Sequence, residues 1–196
     1  MLTPLAMRLK NVNPNYISIA SLILALIAAC LYFLEWSLSL LLAAIFVGLS
    51  GFLDAIDGKV ARISSKASKR GDFLDHVIDR YADAIVLGAI AVSWRCQPAI
   101  GLFAVIGVML ASYMGTQAQA LGLAREYRGI LGRADRIAVL VVISLIQYFL
   151  EVTGSDYATE IYIVEMTLIA WMMVYFGLAG NITALQRAYT IWKSTT

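Results

Sequence analysis

Four aspartates, Asp54, Asp57, Asp75 and Asp79, interrupt an otherwise apolar chain. They fall in one string, Asp54-x-x-Asp57-Gly58-x-x-Ala61-Arg62, then eight residues, then Gly71-x-x-x-Asp75-x-x-x-Asp79. Asp54 and Asp57 are three residues apart, and Asp75 and Asp79 four apart, so on helices each pair shares a face. Carboxylates gathered at a membrane are expensive. One charge at mid-bilayer costs about 2.5–3.5 kcal/mol, and four cost on the order of 10 kcal/mol before their mutual repulsion. A position near the boundary and a bound cation both reduce that cost. Oxygen ligands without His or Cys suit magnesium, manganese or calcium. Magnesium characteristically joins one or two carboxylates to substrate phosphates. The pattern therefore points to a metal-bridged phosphate or diphosphate substrate.

The residues between the aspartates fit such a substrate. Gly58 and Ala61 are small, and would let a flat nucleobase or ribose approach the helix backbone; Gly71 can do the same at the start of the third helix. Arg62 lies two turns beyond Asp54 and can hold a phosphate as a fork. Interhelical ion pairs, Asp54 or Asp57 against Arg62 or Arg80, would account for one such aspartate but not for four at this spacing.

The elements that carry these residues follow from composition. The chain has 196 residues, of which 61% are hydrophobic, with a mean hydropathy of +0.79. A soluble domain is roughly half apolar, so this is a membrane protein. Spanning the hydrocarbon takes about 20 apolar residues. Tyr16–Leu34 is the first expected span, and Trp36–Leu53 begins the second, which continues through Asp54 and Asp57 towards Arg62. A polar loop over Ile63 to Arg70 leads to a third helix from Gly71 to Trp94. A fourth runs from Ala99 to Gly122. A basic loop over Ala124 to Arg136 precedes a fifth span starting at Ile137–Leu150. After an acidic turn over Glu151 to Glu160, a sixth runs from Ile161 to Arg187. The expected fold class is thus all-α integral membrane, six transmembrane helices in a single domain over residues 1–196. A short amphipathic surface helix is expected around Leu2 to Lys10. The helices of the two aspartate pairs are consecutive, so they are expected to be antiparallel neighbours.

Thirteen of the fifteen Lys and Arg fall on the side of the N-terminus; only Arg95 falls in a loop on the other side, and Arg80 lies within the third helix. The excess of positive charge in cytoplasmic loops puts both termini and the aspartates in the cytoplasm. The net charge of +2 gives no reason to expect a nucleic-acid partner. Cys30 and Cys96 have neither metal-ligand nor disulfide-framework spacing and read as packing residues. No cleavable signal peptide is visible.

The string from Asp54 to Asp79 resembles the signature of the CDP-alcohol phosphatidyltransferases at all eight of its fixed positions. That resemblance implies a six-helix cell-membrane enzyme that transfers a substituted phosphate from a CDP-linked lipid to an alcohol and releases CMP. It implies magnesium or manganese on Asp54, Asp57, Asp75 and Asp79, with Asp79 also the base that deprotonates the acceptor. It implies that Gly58, Ala61, Arg62 and Gly71 hold the cytidine and its phosphates, and that the enzyme is a homodimer. Gly101 and Gly107, small enough for close helix approach, are candidates for the dimer contact.

The acceptor is read from weaker signals. Gly132-Arg133-x-x-Arg136 is similar to a stretch of the inositol-phosphate and glycerol-phosphate branches. Thr116, Gln117 and Gln119 stand where many members carry arginines and a glutamate. Arg133 and Arg136 share a face, and a helix N-terminus favours an anion, so a phosphorylated polyol is expected, inositol phosphate first and glycerol phosphate as the alternative. His76 is about 100° from Asp75 around the helix and is expected to point away from the cluster. Asp83 is expected to pair with Arg80 or an arginine of a later helix, and Asn181 to bond between helices. Two other classes compete. Intramembrane prenyltransferases have two separated aspartate motifs and more spans. A cation pathway needs polar residues at several depths, which the outer halves of the second and third helices lack.

Overall fold

The computed structural model describes residues 3–64, 68–154 and 166–195. Its helices are α1 (Thr3–Arg8), α2 (Pro14–Phe33), α3 (Ser37–Ile63), α4 (Lys69–Ala91), α5 (Pro98–Ala120), α6 (Arg133–Thr153) and α7 (Leu168–Ser194). Five of them, α2, α3, α5, α6 and α7, are long and apolar enough to cross a membrane. The sixth long helix, α4, is of spanning length, about 34 Å, but its first half carries the charges of the site. The chain is a multi-pass membrane protein. Lys66 and the expected start of the last helix at Ile161 lie outside the described residues.

Local chemistry sets the helix ends. Pro14 opens α2 behind Asn13, whose side chain accepts from the Asn15 N–H. Ser68 caps α4 by accepting from the Gly71 N–H, as a short polar side chain does well at that position. The start of α6 differs from expectation. The Gly132 N–H donates to the Asp135 carboxylate at 3.0 Å, so the helix begins at Arg133, and Arg133 and Arg136 belong to its first turn instead of the loop. The expected N-terminal helix forms over Thr3–Arg8 with only Ala6 buried. Ala6 is fully buried against Ile17, Ile56 and Val60, which docks α1 onto α3.

The expected pairing of α3 with α4 along their lengths does not occur. Helix α2 packs between them, against both, while α3 also packs on α6 and α5 on α7. The small residues Ser18, Ser21, Ala25, Ala28 and Ala29 form the buried side of α2 and let its neighbours come close. The Ser50 hydroxyl donates to the Ser21 carbonyl at 2.8 Å, and Tyr32 and Ser144 join α2 to α6 at 2.6 Å. Gly101 and Gly107 are buried within the chain. A Cβ at Gly101 would overlap Ala91 of α4, and one at Gly107 would overlap Asn181 of α7. These glycines thus serve packing inside one protomer. Asn181 donates to the Gly177 carbonyl of its own helix at 2.8 Å, not across helices. Of the cysteines, Cys30 is exposed on α2 instead of packed, whereas Cys96 is buried and burial pushes its thiol up to about 11.

Arg95, the lone cation expected in an outer loop, is 1% exposed. Its guanidinium donates twice to Glu151 of α6, at 2.8 and 3.0 Å, and once to the Leu34 carbonyl at the end of α2 at 3.2 Å. The Thr167 hydroxyl at the head of α7 donates to the Arg95 carbonyl. One buried pair therefore ties the far ends of four helices. Removing one partner of a buried pair costs about 3–5 kcal/mol, whereas an apolar replacement of both is often neutral. Glu151→Gln is thus expected to lower the thermal midpoint in detergent markedly, and the double change Arg95→Met with Glu151→Leu to recover most of the loss. An unchanged midpoint in Glu151→Gln would show that the pair carries no stability.

Candidate active site

The four aspartates come together at the ends of α3 and α4 that face the α1 side. Carboxylate oxygens of Asp54, Asp57 and Asp75 all lie within 4.8 Å of one another. Asp57 and Asp79 are buried, Asp54 and Asp75 half-buried. Three oxygen donors converging at this spacing fit a hard divalent cation. Asp57 is oriented from α2, where the Ser18 hydroxyl donates to its Oδ2 at 2.5 Å. The sequence reading missed Ser18. Its only signal was a hydroxyl one turn inside an uncharged span, just after the Pro14-Asn15 break.

Asp57 and Asp75 look into a cavity of 340 Å³, within the roughly 300–1,000 Å³ range of small-molecule sites. Its walls include Gly58, Ala61, Arg62 and Gly71, together with Pro14, Asn15, Ser18, Ser68 and Asp72. All four residues expected to hold a nucleotide thus line one hollow with two of the aspartates. Arg62 donates from Nε to the Gly58 carbonyl at 3.0 Å, which ties the side chain to the cavity wall.

Asp54 and Asp79 are engaged from the opposite direction. Arg133 of α6 reaches both, with Nη2 3.2 Å from Asp54 Oδ1 and Nη1 2.5 Å from Asp79 Oδ1. Arg80 lies 3.6 Å from Asp79 and 3.8 Å from Asp83, and Arg136 lies 2.6 Å from Asp83. Asp83 therefore pairs both with Arg80 and with an arginine of a later helix, as its position on α4 suggests. The ion pairs between Asp54 or Asp57 and Arg62 or Arg80 do not form among the described residues. Three donors here are buried without a hydrogen-bond partner among the described residues: the Nε atoms of Arg80, Arg133 and Arg136. Buried polar groups are nearly always satisfied, so this cluster of donors is built for something more than its present partners.

His76 faces the 121–132 loop, where Arg125 Nη1 donates to its ring. Its ring is nearer the cluster than expected, since a ring nitrogen and oxygens of Asp75 and Asp79 fall within 4.8 Å of one another. The loop itself is pinned to α7. The Ile130 and Leu131 N–H groups both donate to the Thr183 hydroxyl at 3.1 and 3.2 Å. Arg187 donates to the Arg128, Ala111 and Tyr127 carbonyls. Gly129, with φ 141°, lies so close to Thr183 that a Cβ there would overlap it. Helix α7 thus holds the loop that leads into α6.

The family model described as CDP-alcohol phosphatidyltransferase matches residues 11–183. An archaetidylinositol phosphate synthase of Pyrococcus horikoshii is 30% identical over 93% of this chain and 85% of its own length. A phosphatidylinositol phosphate synthase of Cutibacterium acnes is 29% identical over 73% of this chain and 69% of its own. Among solved structures, a Mycobacterium tuberculosis phosphatidylinositol phosphate synthase with CDP-DAG bound superposes with a TM-score of 0.73 at 21% identity, covering 98% of this chain and 94% of that one. The same mycobacterial enzyme in complex with manganese and citrate also gives 0.73, covering 98% of this chain and 89% of that one.

Proposed function

Because the chain belongs to the CDP-alcohol phosphatidyltransferase family, a family of enzymes that move a substituted phosphate from a CDP-linked lipid to an alcohol, we propose that its acceptor is inositol phosphate. The observation that carries the proposal is the two-sided site. A cavity with Gly58, Ala61, Arg62 and Gly71 lies on one side of the aspartates, and Arg80, Arg133 and Arg136 on the other. In this reading the cytidine and its diphosphate occupy the cavity, and the acceptor's phosphate lies on Arg133 and Arg136. An arginine-lined site suits a doubly charged phosphate far better than serine or choline. Charge alone does not separate inositol phosphate from glycerol phosphate. The names of the relatives favour the former.

The reaction joins the acceptor oxygen to the lipid-bearing phosphorus and breaks its bond to the CMP oxygen. Asp79 is assigned the acceptor's hydroxyl proton, as the family resemblance implies; in this structure its carboxylate lies against Arg80 and Arg133. Asp54, Asp57 and Asp75, with Asp79 at their edge, would hold magnesium or manganese. Such an ion supplies charge neutralisation on the diphosphate and the leaving CMP. Ser18 keeps Asp57 turned towards that position. The Lys and Arg distribution supports a cell-membrane enzyme with its site and termini in the cytoplasm. A homodimer rests on the family resemblance, since Gly101 and Gly107 are spent inside the protomer. A monomeric mass in native lipid would remove it.

The deciding assay offers CDP-diacylglycerol or CDP-archaeol with inositol phosphate, glycerol phosphate, free inositol and serine in parallel, following CMP. Inositol phosphate is expected to turn over best. Arg133→Ala is expected to raise its KM about tenfold to a hundredfold, the loss of a charged hydrogen bond. Turnover with serine or free inositol but with neither phosphate ester would overturn the acceptor.

A further inference from the structure

Arg133 makes contacts that a simple phosphate anchor does not need. Its guanidinium lies on Asp54 and on Asp79 at once, two carboxylates placed here among the ligands of the divalent ion. A guanidinium and a divalent cation drawing on the same two carboxylates repel each other at close range. Arg133 Nη1 lies 2.5 Å from Asp79 Oδ1, while Arg133 Nε is buried with no hydrogen-bond partner. That donor is left for a ligand offering oxygens that match the fork, and a phosphate does so. Arg136, by contrast, is bound at 2.6 Å to Asp83, one turn further along α4, and is not in contact with Asp54 or Asp79.

We propose that Arg133 is a coupling residue: its guanidinium competes with the divalent ion for Asp54 and Asp79, and the acceptor's phosphate draws it away, so that acceptor and metal bind each other's form of the enzyme more tightly. This rests on the reading of the aspartates as the metal site and of Arg133 as the acceptor-phosphate contact. It gives the arginine a second task. Until an acceptor is present Arg133 blunts Asp79 by pairing with it. When the phosphate takes Arg133, Asp79 is left able to accept the hydroxyl proton, and Asp54 is left to its ligand role. The device would discourage hydrolysis of the CDP-lipid by water, which brings no phosphate. Because coupling between two binding equilibria is reciprocal, it can be read from the metal side without turnover.

The experiment measures Mn²⁺ binding to the purified protein in lipid nanodiscs by the electron-spin signal of free Mn²⁺, with and without inositol phosphate. In the wild-type protein, inositol phosphate is expected to tighten Mn²⁺ binding about tenfold, within the usual range of coupling between sites, and free inositol to leave it unchanged. Arg133→Gln is expected to bind Mn²⁺ more tightly on its own, by a similar factor, and to lose the response to inositol phosphate. Arg128→Gln removes a charge from the exposed loop nearby and is expected to behave as the wild type. Mn²⁺ affinity in Arg133→Gln that is unchanged or weaker overturns the competition, as does a response to inositol phosphate that survives in that variant. Equal tightening in Arg128→Gln overturns it too, by reducing the effect to general charge. The wild-type arm needs no variant to fold, and absence of a response there is also decisive. Asp54→Asn keeps the two failures apart: if it binds Mn²⁺ as the wild type does, the metal site itself has been misassigned.

Discussion

Asparagine in place of Asp79 is expected to cut turnover by about a thousandfold, the middle of the range for a positioned general base, with the KM for the CDP-lipid little changed. The side chain is buried, and asparagine preserves its volume, so the fold should persist. What is lost is the carboxylate charge opposite Arg133 and Arg80 and the lone pair that accepts the proton. The cavity proposed for the donor is lined by Asp57 and Asp75 but not by Asp79, which is why binding of the CDP-lipid and turnover should separate. Kinetics with a saturating donor, alongside a thermal midpoint for the same variant, make the check. Near-normal turnover in a folded Asp79→Asn protein would remove the base role.

Chelation should have a still larger effect. Exhaustive EDTA treatment is expected to abolish CMP release, and magnesium or manganese to restore it. A metal ion's share of charge stabilisation is several kcal/mol, on the order of 10³-fold in rate or more. The reason lies in the geometry, because oxygens of Asp54, Asp57 and Asp75 within 4.8 Å of one another repel strongly unless a cation lies between them. Asp57→Asn should differ from Asp79→Asn by weakening donor binding as well, since Asp57 faces both the cavity and the cluster. Activity that persists without divalent ions would mean the carboxylates are neutralised by the arginines alone.

The gathering of the four aspartates was legible in the sequence because its signals are local. Helical periodicity puts Asp54 with Asp57, and Asp75 with Asp79, whatever surrounds them. Long apolar runs give the spans, since no other backbone arrangement satisfies its own hydrogen bonds in lipid so simply. The residues expected to hold a nucleotide, Gly58, Ala61, Arg62 and Gly71, lie within the same 26-residue string, so their meeting in one cavity follows once the two helix ends converge. Inference failed where it reached across the chain. Proximity in sequence implied that α3 and α4 pair along their length, but the small side chains of α2 make a better surface for both. Gly101 and Gly107 looked free for a partner subunit because nothing local reveals that Ala91 and Asn181 already face them.

Composition and periodicity by themselves determined that this is a helical membrane protein with four carboxylates at one boundary, since both depend only on spacing and on the cost of leaving backbone or charge in hydrocarbon. Only the tertiary structure decided which cations meet those carboxylates. Arg133 stands 79 residues from Asp54, and Ser18 stands 39 residues from Asp57. Arg95 and Glu151, separated by 56 residues, form the clasp at the far end. Each of these contacts depends on how helices distant in sequence pack and rotate against one another, and no periodicity along the chain encodes that rotation.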